Sequence, residues 1–234
     1  MRLYIIRHGD PDYATDSLTE VGRAEARALA QRLANEQISH IYSSPLGRAR
    51  ETMSYTAETT GLHPSIEEWT RELAWWIPWD TPRERIAAWD LHGEIIRGGE
   101  RYPGHDDWHT LEYFENPDFR IGYDLICARS DQLLQRHGYR REAGRYRYEQ
   151  ANRDRIAMFC HGGFGLTWLA HLLALPLPLV WSGFWLPTSS VTTVLFDERS
   201  QSWAVPRCLG LGDISHLYAA RLPVQPRGII ANFD

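Results

Sequence analysis

A chain of 234 residues that is 43% hydrophobic and 24% charged is long enough for one large domain with a substantial core. Its net charge of −5 argues against a general nucleic-acid or membrane-surface binder. All 25 cationic side chains are arginine, which excludes Schiff-base lysine chemistry and the phosphate-binding loop that needs a Gly-Lys pair.

The first apolar run, residues 3–6 of "LYIIRHGDPDY", is short and β-branched and predicts a buried strand that stops at Arg7-His8-Gly9. It is too short for a signal peptide, and no later stretch reaches membrane-span length. Three widely spaced cysteines, Cys127, Cys160 and Cys208, fit a reducing compartment, so a soluble cytoplasmic protein is expected.

In "DSLTEVGRAEARALAQRLANE", Ser17 and Glu20 have capping-box spacing, and Ala24, Ala28, Leu29 and Leu33 fall on one helical face. In "ISHIYSSPLGRARETMSYTAETTG", residues 38–42 predict a second strand. Ser44 is a natural N-cap with Pro45 at the first helical position, and Gly61 supplies the stop. Strand, helix, strand, helix in this order implies a parallel sheet with right-handed crossovers.

Residues 73–150 are unusually aromatic and predict an inserted, mainly helical cap over the sheet's C-terminal edge, within one domain spanning 1–234. Trp75, Trp76 and Trp79 read as core anchors. His105 and His109 are four apart, but Pro103-Gly104 disfavours a helix there, and no metal site is expected. A second Arg-His-Gly, in "ICARSDQLLQRHG", sits at a helix end, where Gly138 caps and His137 complements the macrodipole. The arginine-rich "YRREAGRYRYEQANRDR" reads as a hairpin with a wet arginine face rather than an RNA-binding patch, although one arginine could reach the substrate pocket.

A third strand, residues 156–160, runs straight into His161, Gly162 and Gly163 and then a helix that Pro176 ends. Three strands thus deliver Arg7 with His8, the Ser43-Ser44 turn with Arg48, and His161 to the edge where open α/β sheets bind ligands. Two arginine forks match a phosphate's oxygens, and the amides of Gly162 and Gly163 would add an anion site at a helix start. A neutral imidazole held by one ring nitrogen can attack phosphorus through the other; His8 suits that role, with His161 as a second donor.

The stretches "RHG", "SLTEVGRAEA", "SSPLGRARET", "FCHGG" and "GDISHL" resemble the histidine phosphatase superfamily, also called phosphoglycerate mutase-like, over residues 1–72 and 151–217. The resemblance implies a three-layer α/β/α sandwich with a mostly parallel central sheet and a phosphohistidine on His8. Arg7, Arg48 and His161 match the rest of the family's phosphate pocket. The family's proton donor falls on Glu72 in "WTRELAWWIPWD", with Glu67 and Glu68 as alternatives because the family's glycine motif is absent. The family's asparagine six residues after the nucleophile is replaced by Ala14. A metal-independent phosphomonoester hydrolase without cofactors, acting on a small anionic phosphorylated substrate, is expected. The alternatives are a phosphoglycerate-type mutase and a non-catalytic phosphate- or phosphoprotein-binding module.

Overall fold

The computed structural model describes residues 1–79 and 81–229, with the backbone alone at residues 81–83. β1 (Arg2–Arg7) leads through a small ribbon, β2 (Pro11–Asp12) and β3 (Ser17–Leu18), into α1 (Glu20–Asn35). β4 (His40–Ser43), α2 (Gly47–Thr60) and β5 (Ser65–Ile66) follow. The middle of the chain holds the hairpin of β6 (Trp76–Trp79) and β7 (Thr81–Ala87), the short α3 (Gly93–Arg97) and the long α4 (Pro117–Arg136). A second hairpin, β8 (Tyr139–Glu142) and β9 (Arg145–Tyr148), precedes β10 (Arg155–Cys160) and α5 (Gly162–Leu173). Then come α6 (Leu177–Gly183), β11 (Val191–Ser200), β12 (Trp203–Asp213) and α7 (Ser215–Ala220).

Eight strands form one sheet in the order β5-β4-β10-β1-β11-β12-β9-β8. The first four run parallel, and the rest continue the sheet with antiparallel pairings. Ile6 is level with Phe159 and Phe159 with Ser43, so β1, β10 and β4 end along one edge. Side chains alternate across this sheet as the pleat requires. Leu3, Ile5, Ile156 and Met158 join the core beneath α4, α5 and α6, whereas Tyr4, Ile6, Ala157 and Phe159 pack under α1 and α2. The result is the α/β/α sandwich.

Two helix starts differ from expectation. The N-cap of α1 is Thr19, whose hydroxyl accepts from Gly22 N–H; Ser17 is instead paired with Asp12 in the β2–β3 ribbon. Glu20 turns outward to Arg23 rather than back to a capping serine. Helix α2 begins at Gly47, two residues later than a Ser44 cap would start it. The hydroxyl of Ser44 accepts from Leu46 N–H (3.3 Å) and lies 2.7 Å from His161 Nε2. Gly61 does stop α2, in the left-handed region at φ 71°.

Within residues 73–150, the β6–β7 hairpin and α3 stand at the ligand edge, while α4 belongs to the helical layer beside α5 and the β8–β9 hairpin extends the sheet. Arg140, Arg145 and Arg147 point to solvent on that hairpin. Arg141 faces inward, donating to Tyr146 Oη (2.7 Å) and to the His171 carbonyl (3.1 Å). None of these arginines reaches the cleft at the strand ends, because their hairpin lies at the far edge of the sheet. Trp75 is a core anchor, stacked on Phe119. Trp79 packs half-buried against His92. Trp76 departs from the expected core role: the strand pleat turns it to the opposite face, 48% exposed.

Candidate active site

His8 follows directly from β1, and its N–H continues the ladder by donating to the Cys160 carbonyl (3.0 Å). Its own carbonyl accepts from Ser189 N–H (2.9 Å), and Ser189 Oγ lies 3.0 Å from His216 Nε2. The "GDISHL" stretch therefore braces the backbone behind His8. Gly9 is required for close approach, since a Cβ there would lie 2.7 Å from the Gly22 carbonyl at the start of α1.

The His8 ring is almost wholly buried. Its Nδ1 lies 2.8 Å from the Gly9 carbonyl, which can only accept, so Nδ1 carries the proton and Nε2 keeps a lone pair. Arg48 Nε donates to that Nε2 at 3.3 Å. Burial, and then the charge of Arg7, push His8 well below the usual histidine range, so the ring is neutral at pH 7.

Arg7 donates through Nη1 to the carbonyls of Leu186 (2.6 Å) and Arg227 (3.4 Å), while its buried Nε has no partner. Arg48, in the first turn of α2, is held by Asp16 at 2.5 Å, and Asp16 also accepts from Gly47 N–H (2.7 Å). The two guanidiniums and Gly162 line one cleft of about 1210 Å³. Ala14 is not among its walls; the neighbouring Tyr13 is, with its ring 5.5 Å from the Arg48 guanidinium carbon.

His161 sits at the mouth of α5, its ring centroid 5.2 Å from that of His8. Burial, then the positive neighbours, push it well below the usual range as well. Ser44 Oγ lies 2.7 Å from His161 Nε2, and Nδ1 is buried with no partner. If the serine hydroxyl donates to Nε2, the neutral ring carries its proton on Nδ1 and can donate it to an oxyanion.

Glu72 lines the same cleft. Its carboxylate accepts from Gly163 N–H (3.2 Å), Phe164 N–H (2.8 Å) and Leu73 N–H (3.1 Å). Gly163 is thus not free for phosphate, contrary to expectation: a carboxylate already occupies that helix start, leaving Gly162 at the cleft wall. Burial pushes Glu72 up, against the opposing pull of those three amides. Glu67 and Glu68 lie elsewhere. Glu67 pairs with Arg136 and accepts from Trp69 Nε1, and Glu68 pairs with Arg71 on the surface.

Sequence reasoning missed several cleft features. Asp90 lines the cleft and burial pushes it up to about 6. The segment 225–229 closes one side, anchored where Arg227 pairs with Asp10 at 2.7 Å. Nothing in local spacing links residue 10 to residue 227. His137, by contrast, lies away from the cleft as its helix-end context implied, with Nδ1 bonded to Asp154 and Nε2 to Tyr42. Among the described residues, the close group of metal-ligating types is His40, His137 and Asp154, at the opposite, N-terminal ends of β4 and β10.

Glu25 is a buried brace under the site, accepting from Asp10 N–H (2.9 Å) and the Thr188 hydroxyl (3.0 Å). Burial pushes its carboxyl up from 4.5 to about 7. A raised carboxyl binds its proton more tightly folded than unfolded, so this contribution is full below pH 4.5 and is lost as pH rises through 7. Between pH 5 and 8 the wild type should therefore lose up to about 3 kcal/mol more stability than Glu25→Gln, a shift converted at about 1.4 kcal/mol per unit. Urea unfolding of both proteins at the two pH values measures this difference, and the titrating histidines cancel in the comparison.

Residues 3–108 match the family model described as histidine phosphatase superfamily (branch 1). The chain is 38% identical over 82 residues to a probable phosphoglycerate mutase GpmB of Photorhabdus laumondii, a stretch covering 31% of this chain and 38% of that relative. It shares its fold with the phosphoserine phosphatase of Entamoeba histolytica solved with 3-phosphoglyceric acid (TM-score 0.59, 21% identity, 92% of this chain and 98% of that one). A mycobacterial glucosyl-3-phosphoglycerate phosphatase solved with inorganic phosphate is similar to the same extent (TM-score 0.57, 21% identity, 92% and 98%). The family pattern thus runs over residues 3–108, and the fold of these two phosphatases extends across nearly all of the chain.

Proposed function

We propose that the protein is a phosphomonoester hydrolase that works through a phosphohistidine on His8. Its strongest support is the His8 ring, whose Nδ1 is tied to the Gly9 carbonyl while Nε2 faces the Arg48 guanidinium in a buried cationic pocket. In the first step His8 Nε2 forms a bond to phosphorus as the ester P–O bond breaks. Arg7, Arg48, the Gly162 amide and His161 Nδ1–H donate to the equatorial oxygens, where charge must be held in phosphoryl transfer. Glu72, whose carboxyl is pushed up by burial, gives its proton to the departing alkoxide. In the second step Glu72 takes a proton from water as the water oxygen bonds to phosphorus. The N–P bond then breaks, restoring neutral His8 and releasing inorganic phosphate.

The positive charge in this scheme is supplied by side chains. Enzyme treated with EDTA should therefore hydrolyse p-nitrophenyl phosphate at the untreated rate. Loss of activity that Mg²⁺ or Zn²⁺ restores would overturn the scheme.

A phosphomutase is the second reading, favoured by the name of the sequence relatives, of which the match spans little more than a third. Incubation with 3-phosphoglycerate separates the two. Net release of inorganic phosphate supports the hydrolase, and formation of the 2-isomer without release supports the mutase.

A further inference from the structure

The cleft is far larger than phosphate needs. Its volume of about 1210 Å³ exceeds the range of roughly 300–1,000 Å³ that holds drug-sized ligands. Beyond the phosphate pocket its wall is aromatic. Trp76 and Phe184 are 48% and 41% exposed, an apolar surface kept open to water at the mouth of a cleft. Trp76 lies 6.3 Å from Trp89, tilted by 53°. Trp89 in turn rests on Gly163, where a Cβ would come within 2.5 Å of its ring. That glycine holds the Glu72 carboxylate, so the aromatic wall begins at the position of the leaving oxygen and runs outward. Across from it, Trp185 donates to the Arg227 carbonyl and Pro226 closes the side.

The charges of the outer cleft disfavour a second anion. Arg48 is engaged by Asp16, and Arg227 by Asp10. Asp90, which lines the cleft together with Glu72, is the carboxylate that a second anion would meet. Arg85, exposed at the rim, is the remaining arginine among the lining residues.

From this juxtaposition of four aromatic rings with an acidic flank, we infer that the leaving group is a bulky, uncharged alcohol bearing an aromatic ring, rather than a small carboxylic acid. The inference rests on the hydrolase reading. The ring would stack against Trp76 and Trp89, with its alkoxide oxygen directed at Glu72.

Three alkyl phosphates test it: 3-phenylpropyl phosphate, propyl phosphate and 3-phosphoglycerate. The first two have leaving groups of matched basicity, so they differ in the ring and not in the chemistry. Phosphate release should give a kcat/KM about 10- to 100-fold higher for the phenylpropyl ester than for the propyl ester, as burial of one phenyl ring allows. The 3-phosphoglycerate value should fall below both. In Trp76→Ala the phenylpropyl-to-propyl ratio should shrink several-fold; being a ratio within one preparation, it does not depend on how much of the variant is folded. Equal values for the two esters, a preference for 3-phosphoglycerate, or an unchanged ratio in Trp76→Ala would overturn the inference while leaving the hydrolase intact. No release from any ester above the His8→Ala background would overturn the hydrolase reading itself, and the inference with it.

Discussion

His8→Ala should lose phosphatase turnover on the order of 10⁴-fold or more, whereas His137→Ala should retain most of it. Both residues stand in an Arg-His-Gly tripeptide, so the tripeptide cannot separate them. Their surroundings do. His8 leaves a buried parallel strand at the ligand edge, with one nitrogen held by Gly9 and the other facing Arg48. His137 caps α4, where Asp154 and Tyr42 engage both ring nitrogens. Alanine at 8 removes the atom that would bond to phosphorus, and the remaining donors can only polarise an ester for attack by water. Alanine at 137 removes two hydrogen bonds at a helix end, a cost in stability of about 1 kcal/mol for each. Rates on p-nitrophenyl phosphate, with circular dichroism to verify folding, decide the matter. Equal losses in two folded variants would remove the special status of His8.

Glu72→Gln should depend on the leaving group. A general acid contributes about 10²–10⁴-fold when the departing oxygen is basic, and far less when it is a good leaving group. Hydrolysis of an alkyl phosphate should fall by that factor, while the initial burst from an aryl phosphate survives. The phosphoenzyme should then accumulate, because the same carboxylate would activate water for its breakdown. Acid lability with base stability of the trapped label would identify a phosphoramidate. The pH profile offers an independent check. Burial holds His8 well below the usual histidine range, so the nucleophile stays neutral and alkyl-ester kcat should hold steady as pH falls through that range. On the alkaline side kcat should fall as Glu72, raised by burial, loses the proton it must donate, and this limb should vanish in Glu72→Gln. Asp90, pushed up to about 6 in the same cleft, is the control. If Asp90→Asn shows the leaving-group dependence and Glu72→Gln does not, the acid is Asp90.

Features written within a few consecutive residues were legible in the sequence by itself. The run "LYIIRHG" is a short β-branched strand closed by a glycine, and it folds as one. Gly61 ends α2 in a left-handed conformation that few other residues adopt cheaply. Strand β9 shows its alternation of tyrosine inside and arginine outside. That β1, β4 and β10 run parallel followed from strand–helix alternation with right-handed crossovers, whereas the placing of β10 between the other two did not. Their shared direction is why Arg7, His8, Arg48 and His161 could be grouped at one edge of the sheet.

Tertiary structure alone decided the rest, wherever a side chain's partner lies far along the chain. Ser44 looks like a helix cap locally, but its hydroxyl bonds to His161, 117 residues away. Gly163 has the amide of an anion site, but the Glu72 carboxylate reaches it across 91 residues. Arg227 has no local signature at all, yet it bridges 217 residues to Asp10 and brings the tail over the cleft. Trp75 and Trp76 are neighbours in a run of aromatics, and the pleat sends one to the core and the other to the cleft. Local conformational preference is set within a turn or a strand pair, whereas the partner of a polar or aromatic side chain is set by which segments the hydrophobic core packs together.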